Sequence, residues 1–187
     1  MMDGFAQSEE AFSMGEYKIL IPHELPPTGQ LTSYRTGDDG SIKAGWPGTT
    51  RFVNNGDGTV TDFATGRMWV IDPVTDPGAP FDGLLNWNAA IDACLALDFA
   101  GHADWRLPNS VELATLIDED EAAAVSVFSP LVMVAGSYWA STTLKADTTK
   151  AKYLYLSAVP YYGTLAWSNA KVNTAYVMPV RGGSLSG

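Results

Sequence analysis

Apolar and polar positions along this chain follow two different periods, and the change of period marks its elements. Arg51-Phe52-Val53 and Thr59-Val60-Thr61 are rich in β-branched and aromatic residues and flank the stretch Asn54-Asn55-Gly56-Asp57-Gly58. Asn and Gly tolerate the positive φ angles of tight turns, so this stretch predicts a β-hairpin. A second turn at Ala64-Thr65-Gly66 and a strand over 67–71 extend it into a short meander. At Trp87, Ala90, Ile91, Cys94 and Leu95 the spacing becomes that of one helical stripe, with Asn86 as N-cap and Gly101 just past the end. The segment 104–120 predicts a second helix, capped by Asn109 with Glu112 as capping-box partner and with Leu113, Leu116 and Ile117 facing the core. Strand signals return at 138–142, 151–158, 165–167 and 175–180. In 151–158, Lys152, Leu154, Leu156 and Ala158 share one face and Ala151, Tyr153, Tyr155 and Ser157 the other. The leucine face should be buried, leaving the tyrosines toward solvent or an adjoining loop. The fold class is α+β.

The intervening segments are turn-rich. Residues 1–30 carry five acids and one lysine and end in the proline-rich IPHELPPTG, which reads as an arm or attachment segment. Leu25-Pro26-Pro27-Thr28-Gly29 fits the LPxTG sorting pattern by coincidence and reads as an extended Pro-Pro turn. Residues 36–50 are glycine-rich and aperiodic, a loop, and 72–83 with its three prolines is a surface loop. The organisation expected is an arm over 1–50, a domain over 51–183 and a tail over 184–187.

Composition narrows the chemistry. At 187 residues and 46% hydrophobic, the chain can build one sizeable core. Eleven basic against 21 acidic side chains give a net charge of −10, which opposes nucleic acid and anionic membranes as partners. No run reaches the ~18 apolar residues of a membrane span, and no secretory signal is visible at the N-terminus. The chain as it stands therefore reads as mature, exported by another route, or not exported. A lone cysteine, Cys94, excludes an intramolecular disulfide or a cysteine-rich metal site and reads as buried filler, while His23 and His102 sit in no ligand-spaced motif. An EF-hand register on Gly58 puts Val53 and Ala64 where the first and twelfth ligands belong, so no cofactor is expected beyond a weakly held calcium ion near Asp57. Acid pairs such as Asp38 with Asp39 and Asp118 with Asp120 have no acid-base partner nearby in sequence, and no catalytic residue is assigned.

The order RFVNNGDGTVTDFATGRMW, GHADWRLPNSVELATLID, YWASTT and YVMPVRGG over residues 28–183 resembles the Lcl C-terminal domain family, also called DUF1566. That resemblance implies a C-type-lectin-like fold, with two helices packed on mixed, mostly antiparallel β-structure and long loops on one side. It also implies a binding domain of bacterial surface adhesins or phage receptor-binding proteins. Trp105, Arg106, Leu107, Pro108, Trp139 and Arg181 match the family's pattern and read as framework, with the Arg106 guanidinium satisfying loop carbonyls. The calcium and sugar motifs of true lectins are absent, Asn169 in WSNAK having no acid beside it, and the cysteine pair that many members carry near the first helix is missing.

The expected function is a non-catalytic recognition module of the extracellular surface or of a virion, holding a cell-surface glycan or protein. Its binding face is placed in loops 143–150 and 159–174, where Tyr153, Tyr155, Tyr161, Tyr162, Trp167, Asn169 and Asn173 gather large contact area and adaptable hydrogen bonding. The alternative is a structural virion or surface-assembly protein, a homo-oligomer whose residues 1–50 contact neighbouring subunits.

Overall fold

The computed structural model describes residues 26–44, 51–75, 78–81, 83–118, 127–157 and 168–182, and the strand backbone alone at 12–14, 17–19 and 163–167. The described chain is α+β, with antiparallel sheets and three short helices.

Strands β1 (Phe12–Met14) and β2 (Tyr17–Ile19) pair antiparallel with each other. In the stretch 36–50, read above as loop, helix α1 (Asp39–Ile42) makes a single turn. Asp38 is its N-cap and the hub of the segment, its carboxylate accepting from the N–H groups of Tyr34, Arg35 and Ser41. Local side-chain-to-backbone bonding of this kind leaves no apolar period to read.

The predicted meander is present. Strands β3 (Phe52–Asn54), β4 (Thr59–Asp62) and β5 (Arg67–Val70) join β11 (Val180–Arg181) in a four-stranded sheet of order β11-β5-β4-β3. The β3–β4 turn is closed by its own side chains. Asn54 Oδ1 accepts from Gly56 N–H at 2.8 Å, and Asp57 Oδ1 accepts from Thr59 N–H at 3.0 Å. Gly56 and Gly58 take φ of +83° and +88°, which is why glycine stands at both positions. Across the strands Arg51 and Asp62, both fully buried, make a bidentate ion pair at 2.9 and 2.8 Å. The guanidinium lies 4.4 Å from the Phe52 ring centre and 5.0 Å from that of Phe128.

Helix α2 (Trp87–Leu95) follows the short strand β6 (Leu85–Asn86), and Asn86 caps it by accepting from Ala89 N–H at 3.0 Å. Ala90 and Cys94 are fully buried, but Leu95, assigned to the same stripe, is 63% exposed. At about 100° per residue, Leu95 is rotated about 100° from Cys94 and leaves the buried line. Helix α3 (Ser110–Ala114) carries the predicted capping box of Asn109 and Glu112. It stops well short of residue 120. Thr115 is the C-cap, its hydroxyl bonding the Glu112 carbonyl at 2.8 Å, and Leu116 and Ile117 reach the core from the turn that follows.

Strands β7 (Gly136–Thr143), β8 (Lys150–Leu156) and β9 (Gly163–Ala170) form a three-stranded sheet of order β7-β8-β9. The stretch 175–180, read as one strand, is two: β10 (Thr174–Ala175) pairs with β6, and β11 pairs with β5. Between them Tyr176 N–H bonds Ser137 O at 2.8 Å and Trp139 N–H bonds Tyr176 O at 3.0 Å. Residues 174–181 therefore run across three sheets, and Pro179, without an N–H, cannot continue a single ladder.

Two apolar clusters fill the interior. One joins Val60, Trp69, Leu113, Leu116, Tyr138, Leu154 and Met178 between the four-stranded sheet, α3 and the leucine face of β8. The other joins Ala90 and Cys94 of α2 to Leu107, Trp139, Ala151 and Val177, with Tyr153 packed against it. The second cluster corrects the expectation for β8. Its Ala151 and Tyr153 pack against that cluster instead of facing solvent.

Candidate functional site

The residues that matched the family pattern hold the frame. Trp105 and Trp139 are buried, and their indole N–H groups bond Phe99 O at 3.2 Å and Leu85 O at 2.9 Å. Leu107 and Pro108 are buried beside them. Arg106 meets one loop carbonyl, Gly182 O at 3.1 Å, but its main partner is the Glu112 carboxylate at 2.8 and 2.7 Å. Arg67 Nε reaches the same carboxylate at 2.6 Å and Asn109 N–H bonds it at 2.8 Å. Burial pushes the Glu112 carboxyl up, and the Arg106, Asn109 and Arg67 bonds overcome that and hold it at about 2. The sequence showed Glu112 only as a cap, since Arg67 lies 45 residues away. Arg181 forks onto Asp104 at 2.6 and 3.2 Å.

Of the predicted contact residues, Tyr153, Tyr155, Asn169 and Asn173 are described with their side chains. Tyr161 and Tyr162 lie outside the described residues, and Trp167 is described only as β9 backbone opposite Tyr153. Tyr153 is half-buried, edge-on to Trp139 with ring centres 6.4 Å apart. Tyr155 is 43% exposed but pairs with Thr164, whereas Asn169 pairs with Ala151. That register sets Tyr155 and Asn169 about 13 Å apart along the sheet, at a rise of ~3.3 Å per residue. Asn169 and Asn173 do meet. Asn173 Nδ2 donates to Asn169 Oδ1 at 2.6 Å and ties the β9–β10 turn. Lys171 at the base of that turn lies 3.8 Å from the Trp87 ring centre and bonds Thr143 Oγ1 at 2.9 Å, while Val172 at its tip is 84% exposed. In 143–150, Asp147 accepts from Thr149 N–H at 3.1 Å and pairs with Lys150 at 3.2 Å, closing that loop on itself.

A groove of about 400 Å³ lies at the end of the four-stranded sheet, and the sequence did not announce it. Asn54, Gly56 and Gly58 of the β3–β4 turn form one side, Ile71 and Asp72 beyond β5 the floor, and Gly78, Ala79 and Phe99 the rest. A Cβ on Gly58 would stand 2.9 Å from Phe99 Cζ, so the ring is seated directly on the turn. The turn glycines were legible as hairpin residues. That Phe99, Asp72, Gly78 and Ala79 line a groove with them was not, because those contacts are long-range.

Among the described residues no group of three or more His, Cys, Asp or Glu side chains is placed to hold a metal ion. Asp57, the one place left open for a weakly held calcium ion, spends Oδ1 on the N–H and hydroxyl of Thr59, bonds that keep its carboxyl below the usual range. The Cys94 thiol is buried and pushed up to about 12, as inert filler should be.

The described chain is a small α+β domain of antiparallel sheets, in which Arg51, Arg67, Arg106 and Arg181 pair with its own carboxylates and a groove lies at a sheet end. The chain belongs to the Lcl C-terminal domain family (DUF1566), whose model matches residues 58–181. The match is narrower than the 28–183 over which the motifs run and leaves Arg51 and β3 outside it. The family is not a known enzyme family. No curated protein matches the chain.

Proposed function

We propose that this protein is a non-catalytic recognition module with a C-type-lectin-like fold, carried at a bacterial surface or on a phage particle and holding a glycan or protein ligand. The observation that carries this reading is the β9–β10 turn. Its base is clamped by Lys171, Trp87 and Thr143, while Val172 and Asn173 stand exposed at its tip. A rigid base with an exposed tip loses little entropy on binding. Tyr161, Tyr162 and Trp167 precede that turn in sequence and complete the proposed face. A screen on glycans and cell-surface proteins with these three changed to alanine tests it. Loss of binding without loss of folding is expected, and unchanged binding removes them as the contact face.

A second reading has its own observation. Leu31, Tyr34 and Ile42 in the lead-in segment are 64%, 83% and 63% exposed, an unusual concentration of apolar surface. It supports a structural assembly protein in which residues 1–50 contact neighbouring subunits. Mass measurement in solution separates the two readings: an oligomer that dissociates on removal of residues 1–50 favours assembly, and a monomer favours recognition.

A further inference from the structure

We propose that the lysine-rich end of the β7-β8-β9 sheet receives the acidic N-terminal arm of a neighbouring copy of this chain. The proposal rests on the assembly reading and names the surface on which residues 1–30 dock.

The basic side chains fall into two groups. Arg51, Arg67, Arg106 and Arg181 each lie on a carboxylate, so their charge is cancelled within the fold. The lysines at the sheet end are different. Residues 143–171 carry Lys145, Lys150, Lys152 and Lys171 against one acid, Asp147, in a chain of net charge −10. Lys150 shares its charge with Asp147 at 3.2 Å. Lys145 and Lys152 meet no carboxylate among the described residues, and Lys145 stands exposed in the β7–β8 turn. The Lys171 amine is held over the Trp87 ring and on Thr143, both uncharged, so it is positioned without being neutralised.

The ladder brings the four together. Leu144 N–H bonds Lys150 O at 2.9 Å and Lys171 N–H bonds Thr149 O at 2.9 Å, which sets Lys145, Lys150 and Lys171 at one end of the sheet. Lys152 follows Lys150 on the same face, about 7 Å along β8. Val172, 84% exposed beside Lys171, adds an apolar point of contact.

The arm is the complement in both respects. Residues 1–30 carry five acids and one lysine, interleaved with Phe5, Phe12, Tyr17 and Ile19. A single exposed ion pair contributes little, so a contact of this kind needs several at once, and five acids against four lysines supply them. At its root the arm meets the opposite sign. Gly29 passes so close to Asp118 that a Cβ has no room, and Asp118 opens the run Asp118-Glu119-Asp120-Glu121, which repels an acidic segment of the same copy. An arm held by the next copy's lysines is a heterologous contact, which closes into a ring or propagates head to tail.

The test is sedimentation analysis of the full chain over a range of concentrations at low and high salt. Association should rise with concentration and weaken roughly tenfold or more at high salt. Lys145→Glu with Lys152→Glu, which together break no ion pair among the described residues, should weaken it by a similar factor at unchanged melting temperature. Glu9→Lys with Glu10→Lys should do the same. The two double variants should pair one to one when mixed, because one keeps the acidic arm and the other keeps the lysines. Association that survives the lysine changes, or variants that fail to pair when mixed, would overturn the proposal. If the oligomer is then still lost on removal of residues 1–50, the assembly reading stands and only this surface falls. A chain that is monomeric throughout removes both, and heparin binding through the lysines of such a monomer would assign them to a polyanionic ligand instead.

Discussion

Glutamine at position 112 would take one charge from between two arginines while keeping the length of the side chain and its capping oxygen. Glu112 is 4% exposed and bonds Arg106, Arg67 and the Asn109 N–H at once. Its carboxyl is held at about 2 against an ordinary 4.5. At ~1.4 kcal/mol per pK unit that gap corresponds to about 3 kcal/mol of folding stability at neutral pH. The figure is also what breaking one partner of a buried pair costs, about 3–5 kcal/mol. Because the folded-state value is depressed, the contribution is fully present above the unfolded value near 4.5 and is lost as pH falls through about 2. Glu112→Gln should therefore lower stability by about 3 kcal/mol at pH 7, a drop of roughly 10 °C in melting temperature. Toward pH 2 the wild type should lose most of that advantage while the variant has no such step at this position. Urea denaturation of both proteins at pH 7, 4.5 and 2.5 reads the gap directly. A gap under about 1 kcal/mol at pH 7, or one that stays constant from pH 5 to 2.5, would refute the coupling of this carboxylate to its two arginines.

Three other outcomes are expected. Arg51→Leu should destabilise by about 3–5 kcal/mol in denaturant titration, because it strands the Asp62 carboxylate in a fully buried site; a loss below about 1 kcal/mol would mean the pair is open to water. Cys94 should react with a thiol reagent only as fast as the protein unfolds, since burial keeps the thiol protonated, and a rapid stoichiometric reaction in the native state would contradict its placement on the buried face of α2. Tyr153→Ala should lower the melting temperature, by removing the ring that packs on Trp139, whereas Tyr155→Ala should leave it nearly unchanged; equal effects would put both tyrosines on one surface.

What the sequence made legible were features decided within a few residues. The Asn86 cap, the Asn109–Glu112 box and the Asn-Gly hairpin are each satisfied by bonds spanning no more than four positions, and each is where the pattern placed it. Alternation in β8 also identified Leu154 and Leu156 as core. It failed for Tyr153 because alternation says which residues share a face and nothing about what lies over it. Here α2 and its neighbours cover the face that a half-solvated sheet would leave to water.

The same limit applies to the candidate site. Aromatic and amide residues were counted along 153–173; among the described ones the β8–β9 register sets Tyr155 and Asn169 at different points along the sheet, and Tyr153 packs against the α2 cluster. The groove, by contrast, is assembled from three separated pieces of chain around Phe99, with no local enrichment to mark it. One trace of it was present. Gly58 serves the hairpin through its positive φ, but the seat it gives to the Phe99 ring requires the absence of a side chain for a second, independent reason. A glycine constrained twice, by its own backbone and by a distant ring, cannot be told from an ordinary turn glycine until the chain is folded, and that is where the sequence pattern runs out.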